Sequence, residues 1–95
     1  MGMEPDYLTR LRDAILARHG CRSIHSATMH VKAVLDLQTQ WEGKVEVFDI
    51  SGHKHAKKCY AWGVIVQGEF MPTCVLEIPP VDSPYTAVEV ALGRL

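Results

Sequence analysis

The 95-residue chain has no apolar run approaching the ~18–20 residues of a membrane helix. It also lacks a signal-peptide core ahead of a small-residue cleavage site, and Gly2 is not followed by the Ser or Thr that myristoylation wants. The cytosol is therefore the expected compartment, with no membrane partner. Neither sign of charge is in excess: ten Lys and Arg stand against 11 Asp and Glu, a net charge of −1 with the histidines neutral. The molecule as a whole thus has no source of long-range attraction to nucleic acid, and polyanion binding would need a local patch. Protonating the five histidines would move the charge to about +4, which bears on solubility in mild acid. Cys21, Cys59 and Cys74 are odd in number and have no CxxC spacing, so neither a disulfide framework nor a zinc ribbon follows. A Gly-rich phosphate loop, GxSxG and HExxH are all missing, and no cofactor is implied.

What is present suits one folded domain over residues 1–95. Hydrophobic residues make up 47 % and charged residues 22 %, enough apolar material for a core and too little charge bias for disorder. Glu4-Pro5-Asp6 offers a helix start, Leu8, Leu11, Ala14 and Ile15 an apolar stripe, and Gly20 a left-handed stop. Ile24–Leu37 reads as a strand interrupted near Asp36, with Ala33–Gln40 as an alternative short helix. Trp41–Ile50, Cys59–Val66 and Phe70–Ile78 read as further strands. Pro79-Pro80 ends the last of these. Ser83 is placed as the cap and Pro84 as the first residue of a closing helix, with Tyr85, Val88, Leu92 and Leu95 at helical spacing. The expected fold is α+β, in the order α-β-β-β(-β)-α. Its antiparallel sheet has three or four strands, with both helices on one face.

If Gln67-Gly68 is a two-residue turn, Val66 faces Glu69, Val64 faces Met71, Trp62 faces Thr73 and Tyr60 faces Val75. Cys59, Ala61 and Gly63 then share the opposite face with Phe70, Pro72, Cys74 and Leu76. The slim side chains suit close helix packing, which leaves Tyr60, Trp62, Val64, Met71 and Val75 as an uncovered apolar surface. Such a surface would serve association with a second copy or with another protein. Pro72 sits awkwardly in this register, since proline belongs on an edge or at a bulge.

Residues 51–59, Ser-Gly-His-Lys-His-Ala-Lys-Lys-Cys, concentrate basic groups between two strands. Gly52, His53, Lys54, His55, Lys57 and Lys58 could grip phosphate through charge-assisted hydrogen bonds. His53, His55 and Cys59 could alternatively ligate a metal, or Cys59 could pair with a histidine as a thiolate nucleophile oriented by Asp49 or Glu77. Val47 through Lys57, followed by a strand, resembles the first hairpin of double-stranded-RNA-binding domains, with His55 at the loop histidine and Gly52 at the glycine that opens the turn. That resemblance implies a loop entering an RNA minor groove. The lysine cluster the family carries at its last helix is replaced here by Ser83-Pro84-Tyr85-Thr86-Ala87-Val88-Glu89, and His53 stands for the loop proline. The longer string Gly52-His53-x-x-Ala56-Lys57-x-Cys59-Tyr60-Ala61-Trp62, with Leu76–Val81 after it, is similar to a set of small single-domain bacterial proteins. It implies a bacterial setting and no activity. The expectation is a small non-enzymatic binding domain.

Overall fold

The computed structural model describes residues 3–94, with side chains described from Tyr7 onward. Leu95, the last member of the expected closing stripe, lies outside the described residues. Helix α1 spans Met3–His19 and stops at Gly20, whose φ of +69 returns its N–H to Leu16 O at 2.9 Å. Four strands follow, β1 Arg22–Leu35, β2 Gln38–Ser51, β3 Lys58–Val66 and β4 Glu69–Leu76, and helix α2 closes the chain at Pro84–Ala91. The sheet is an antiparallel meander in the order β1-β2-β3-β4. The expected α-β-β-β-β-α order is therefore the observed one.

Residues 33–40 form no helix. Asp36 and Leu37 make a two-residue turn with φ of 53 and 64, so β1 and β2 are one long hairpin. Glycine is the usual occupant of the second position, and a leucine there costs roughly 1–2 kcal/mol of left-handed strain. Leu37 is also 99 % exposed, so no packing offsets that cost. In the second hairpin Gln67 and Gly68 supply positive φ, and the pairing is the expected one throughout: Val66 with Glu69, Val64 with Met71, Trp62 with Thr73 and Tyr60 with Val75. Pro72 fits because β4 is an edge strand. Counting alternate pairs from the Glu77 N–H···O Lys58 bond puts Pro72 at a position whose amide would point outward.

The hairpins are joined only at one end, Glu46–Asp49 of β2 pairing with Lys58–Ala61 of β3. Beyond Ala61 the Gly63 N–H has no strand partner on that side, and the Tyr7 hydroxyl accepts it at 3.1 Å. Glycine makes room there: a Cβ would sit 2.4 Å from the tip of the Phe70 ring and force that ring to move from its place edge-on to Tyr7 and beneath the Arg10 guanidinium.

The placement of the helices corrects the expected arrangement: they lie on opposite faces. Leu11 and Ile15 of α1 pack on Phe48, Cys59 and Ala61, with Cys21, Phe70, Cys74 and Leu76 around them. Ala87 and Val88 of α2 pack on Val45, Val47, Tyr60 and Trp62, joined by Val31, Ala33 and Val81. The slim face of β3 does take a helix, but the bulky face takes the other one. Tyr60 and Trp62 are 3 % and 6 % exposed, and Trp62 packs against Trp41 with ring centroids 5.5 Å apart. The physical reason lies in the connection after β4. Glu77 points its carboxylate at the Tyr60 hydroxyl, and Val81 drops into the cluster on that same face, which delivers α2 there.

An eight-residue helix has too few turns to hold itself together in water. α2 is held by its Ser83 cap, whose hydroxyl accepts the Thr86 N–H while Thr86 Oγ1 accepts the Ser83 N–H, with Pro84 at the start as expected. At its far end Arg94 pairs with Glu89 at 3.2 Å and donates to Val34 O at 2.9 Å. The buried side chains are Ala87, Val88 and Glu89, whereas Tyr85 and Leu92 of the expected stripe are exposed.

Candidate functional site

The meander sorts the surface into two ends. The β1 start, β2 end, β3 start and β4 end lie together with the C-terminus of α1, and the two hairpin turns lie at the opposite end.

The first end is basic and holds the Gly52–Lys58 connection. Gly52 turns the chain with a φ of +95 against Gly20 O, and the Ile50 N–H···O Lys57 bond of 3.0 Å closes the loop. His53 organises what lies between. Its Nδ1 accepts the backbone N–H of His55 at 3.0 Å and of Ala56 at 2.9 Å, which fixes the tautomer with hydrogen on Nε2. Ala56 is buried, and Lys54, His55 and Lys57 project into solvent. Lys58 is set apart from them: its ammonium binds Asp49 Oδ1 at 2.6 Å, and that bond raises its pKa. Of the six expected loop residues, three thus present free polar heads, two shape the backbone and one is paired.

The metal and nucleophile arrangements are not assembled. Cys59 lies in the core under α1, while the His53 and His55 rings stand 6.2 Å apart at the surface. Among the described residues no three His, Cys, Asp or Glu side chains converge as a metal-binding set. The fold instead brings Cys59 to Cys74. The Cys59 thiol donates to Tyr60 O at 4.0 Å; the neighbouring Cys74 first, and then burial, raise the Cys59 pKa, while Cys59 and nearby Arg18 lower that of Cys74.

Beside the loop, between α1 and the paired β1 and β2, runs an open groove of about 750 Å³. Thr9, Arg12, Asp13 and Leu16 form its helical wall, and Arg22, Ser23, Ile24 and Ile50 are among the strand residues that line it. Sequence reading missed it because the arginines of α1 look like an ordinary solvated face. Only the angle of the helix across the sheet turns that face into a wall.

The opposite end is apolar. Of the expected interaction surface Tyr60 and Trp62 are buried and Val75 packs against the α2 core, so that part of the surface is covered. Val64 and Met71 remain 50 % and 51 % exposed, and Ile65 and Val66 beside them 62 % and 50 %.

A part-buried polar contact braces each hairpin. Glu46, 5 % exposed, accepts from Thr28 Oγ1 at 2.5 Å and lies 2.8 Å from His25 Nε2, whose ring stands edge-on to Phe48. On the other face the Tyr60 hydroxyl donates to Glu77 Oε2 at 2.6 Å. Burial first, and then this bond, raise the Tyr60 pKa above the ordinary phenol range. The folded protein therefore keeps that proton where the unfolded chain, with a phenol pKa of about 10, gives it up. The stabilisation is complete below about pH 10 and is lost as pH rises further. Tyr7 and Tyr85 are shifted in the same direction. Tyr60→Phe is expected to cost about 1–3 kcal/mol at neutral pH, because Glu77 loses its donor. It should also flatten part of the alkaline decline in urea midpoint above pH 10. An unchanged alkaline slope would show that the Tyr60 proton is not held by the fold.

No helix among the described residues is long and apolar enough to cross a membrane. Compared with family models, with curated proteins and with solved structures, the chain matches none.

Proposed function

We propose that the chain is a small non-enzymatic interaction domain that associates with a protein surface through the turn end of the β3–β4 hairpin, a second copy of itself being the first partner to test. The carrying observation is the cluster Val64, Ile65, Val66 and Met71, four large apolar side chains at least half exposed on one hairpin end. Scattered exposed apolar residues need no explanation, whereas Val64, Val66 and Met71 on one face of the hairpin tip, with Ile65 on the other, make that tip apolar on both sides. The hairpin is rigid enough to present it, since its root is locked by Tyr60, Trp62 and Ala61 in the two cores.

Sedimentation over a wide concentration range tests this. The wild-type chain is expected to grow in size with concentration. Val64→Lys combined with Met71→Glu should hold it monomeric, because the two residues face each other and the opposite charges keep the hairpin paired. A wild-type chain that stays monomeric at every concentration, or a double variant that associates as before, would refute self-association through this end.

A second reading is supported by the ordered loop. Lys54, His55 and Lys57 are exposed on a backbone fixed by His53, so the loop that presents them needs less ordering on binding a phosphate. Binding of this kind weakens as salt rises.

A further inference from the structure

Cys59 and Cys74, which neither reading uses, meet on the sheet face beneath α1. Cys59 stands opposite Leu76 and Ala61 opposite Cys74, so the two cysteines are diagonal neighbours on one face of the β3–β4 hairpin. The small Ala61 at a third corner leaves the sulfurs room to turn toward each other. Both thiols are free, and each lies close enough to shift the ionisation of the other.

Their surroundings differ. Cys59 is fully buried in the cluster of Leu11 and Ile15, whereas Cys74 is half-buried on β4, an edge strand. The last turn of α1 lies against Cys74. Its His19 Nε2 is 3.5 Å from the Cys74 carbonyl oxygen, and the exposed Arg18 is near enough to help lower the Cys74 pKa. Among the described residues Arg18 has no carboxylate within salt-bridge distance, so its charge is left to act on the sulfur. A partly exposed thiol beside a cation is the setting of a reactive cysteine, and a second thiol alongside supplies a resolving partner. Cys21, also in the cluster, is engaged elsewhere, its thiol donating to His19 O at 3.3 Å.

We infer that Cys74 and Cys59 form an oxidisable pair, in which Cys74 reacts with a hydroperoxide and Cys59 resolves the product as an intrachain disulfide. The Cys74 thiolate attacks the terminal peroxide oxygen, the O–O bond breaks, and the leaving alkoxide or hydroxide takes a proton from water. Cys74 is then a sulfenic acid. The Cys59 sulfur attacks that of Cys74, the S–O bond breaks, and the hydroxide departs as water with the Cys59 proton. The peroxide gains the two electrons that the sulfurs lose. Diagonal pairs stand about 7–8 Å apart at Cα and a disulfide spans up to about 6.8 Å, so closure asks about 1 Å of strand movement. β4 is paired with β3 alone, which leaves it free to supply that movement. This assignment does not depend on association through the β3–β4 end.

The test is treatment of the reduced full chain with hydrogen peroxide, followed by intact mass and peptide mapping. The chain is expected to lose two hydrogens, with Cys59 joined to Cys74, Cys21 still a thiol, and full reversal by dithiothreitol. Cys59→Ala should instead stop at Cys74 with one added oxygen that dimedone traps. Cys74→Ala should slow thiol loss roughly ten- to a hundredfold, since the two sulfurs that remain are buried. Arg18→Ala touches no core residue. It should slow the reaction roughly two- to tenfold at neutral pH and move the half-rise of its rate to higher pH, because the thiolate loses a nearby positive charge. The inference is overturned by a chain that keeps all three thiols, or by a disulfide that includes Cys21 or joins two copies. Passage of Cys74 to sulfinic acid with Cys59 still a thiol would overturn it too, as would a rate indifferent to both Cys74→Ala and Arg18→Ala.

Discussion

Trp62→Ala is expected to lower stability by about 3–5 kcal/mol, the usual cost of removing a large buried aromatic. A domain of this size has only about 5–14 kcal/mol in hand, so the melting temperature should fall on the order of 15–30 °C. The residue is 6 % exposed and lies in the core that α2 closes, against Trp41 and beneath Ala87 and Val88. Truncation leaves a cavity lined by two separate elements, and α2 is too short to stay folded without that contact. The loss should therefore appear first as faster amide exchange across residues 84–91. A change of under 1 kcal/mol, with α2 protection intact, would mean that the indole is not packed under this helix.

Phe48→Ala should cost as much, about 3–5 kcal/mol, on the other face. The ring is fully buried between Leu11 and Ile15 of α1 and Cys59 and Ala61 of β3, and it also supports the edge of His25, which holds Glu46. Here the early exchange should appear in α1 and at His25, with α2 initially spared. Because the two clusters share no buried side chain, their effects on local protection should be separable. If Phe48→Ala loosened α2 before α1, the assignment of one helix to each face would be wrong.

Much of the architecture was legible because each element carries its own local signal. Gly20 and the Ser83-Pro84 pair mark helix boundaries by backbone chemistry, and Gln67-Gly68 sets a turn from which the whole β3–β4 register follows. The Asp36-Leu37 turn was obscured because leucine, unlike glycine, does not advertise a positive φ. The face of α2 was misplaced for a different reason, although a signal was there. Residues 59–66, Cys-Tyr-Ala-Trp-Gly-Val-Ile-Val, hold no charged or polar-faced alternation at all, the pattern of a strand covered on both sides. Reading that run by side-chain size found the face α1 would choose but left the other uncovered. The basic loop was visible as composition, whereas the scaffolding role of His53 depends on a three-dimensional turn. The groove needed the docking angle of α1, and no spacing in the chain encodes that angle by itself.

With Tyr60 and Trp62 covered by α2, the contact surface we propose moves to the β3–β4 hairpin end, and that step follows from where the Trp62 indole points. Nuclear Overhauser contacts from that indole to side-chain methyls provide the most direct measurement. Cross-peaks to the methyls of Ala87 and Val88, unchanged on dilution, are the expected result, with none to Leu11 or Ile15. Cross-peaks to Leu11 and Ile15 instead, or indole contacts that vanish on dilution because a second copy supplied them, would contradict the two-sided fold and return the Tyr60–Trp62 face to the interface.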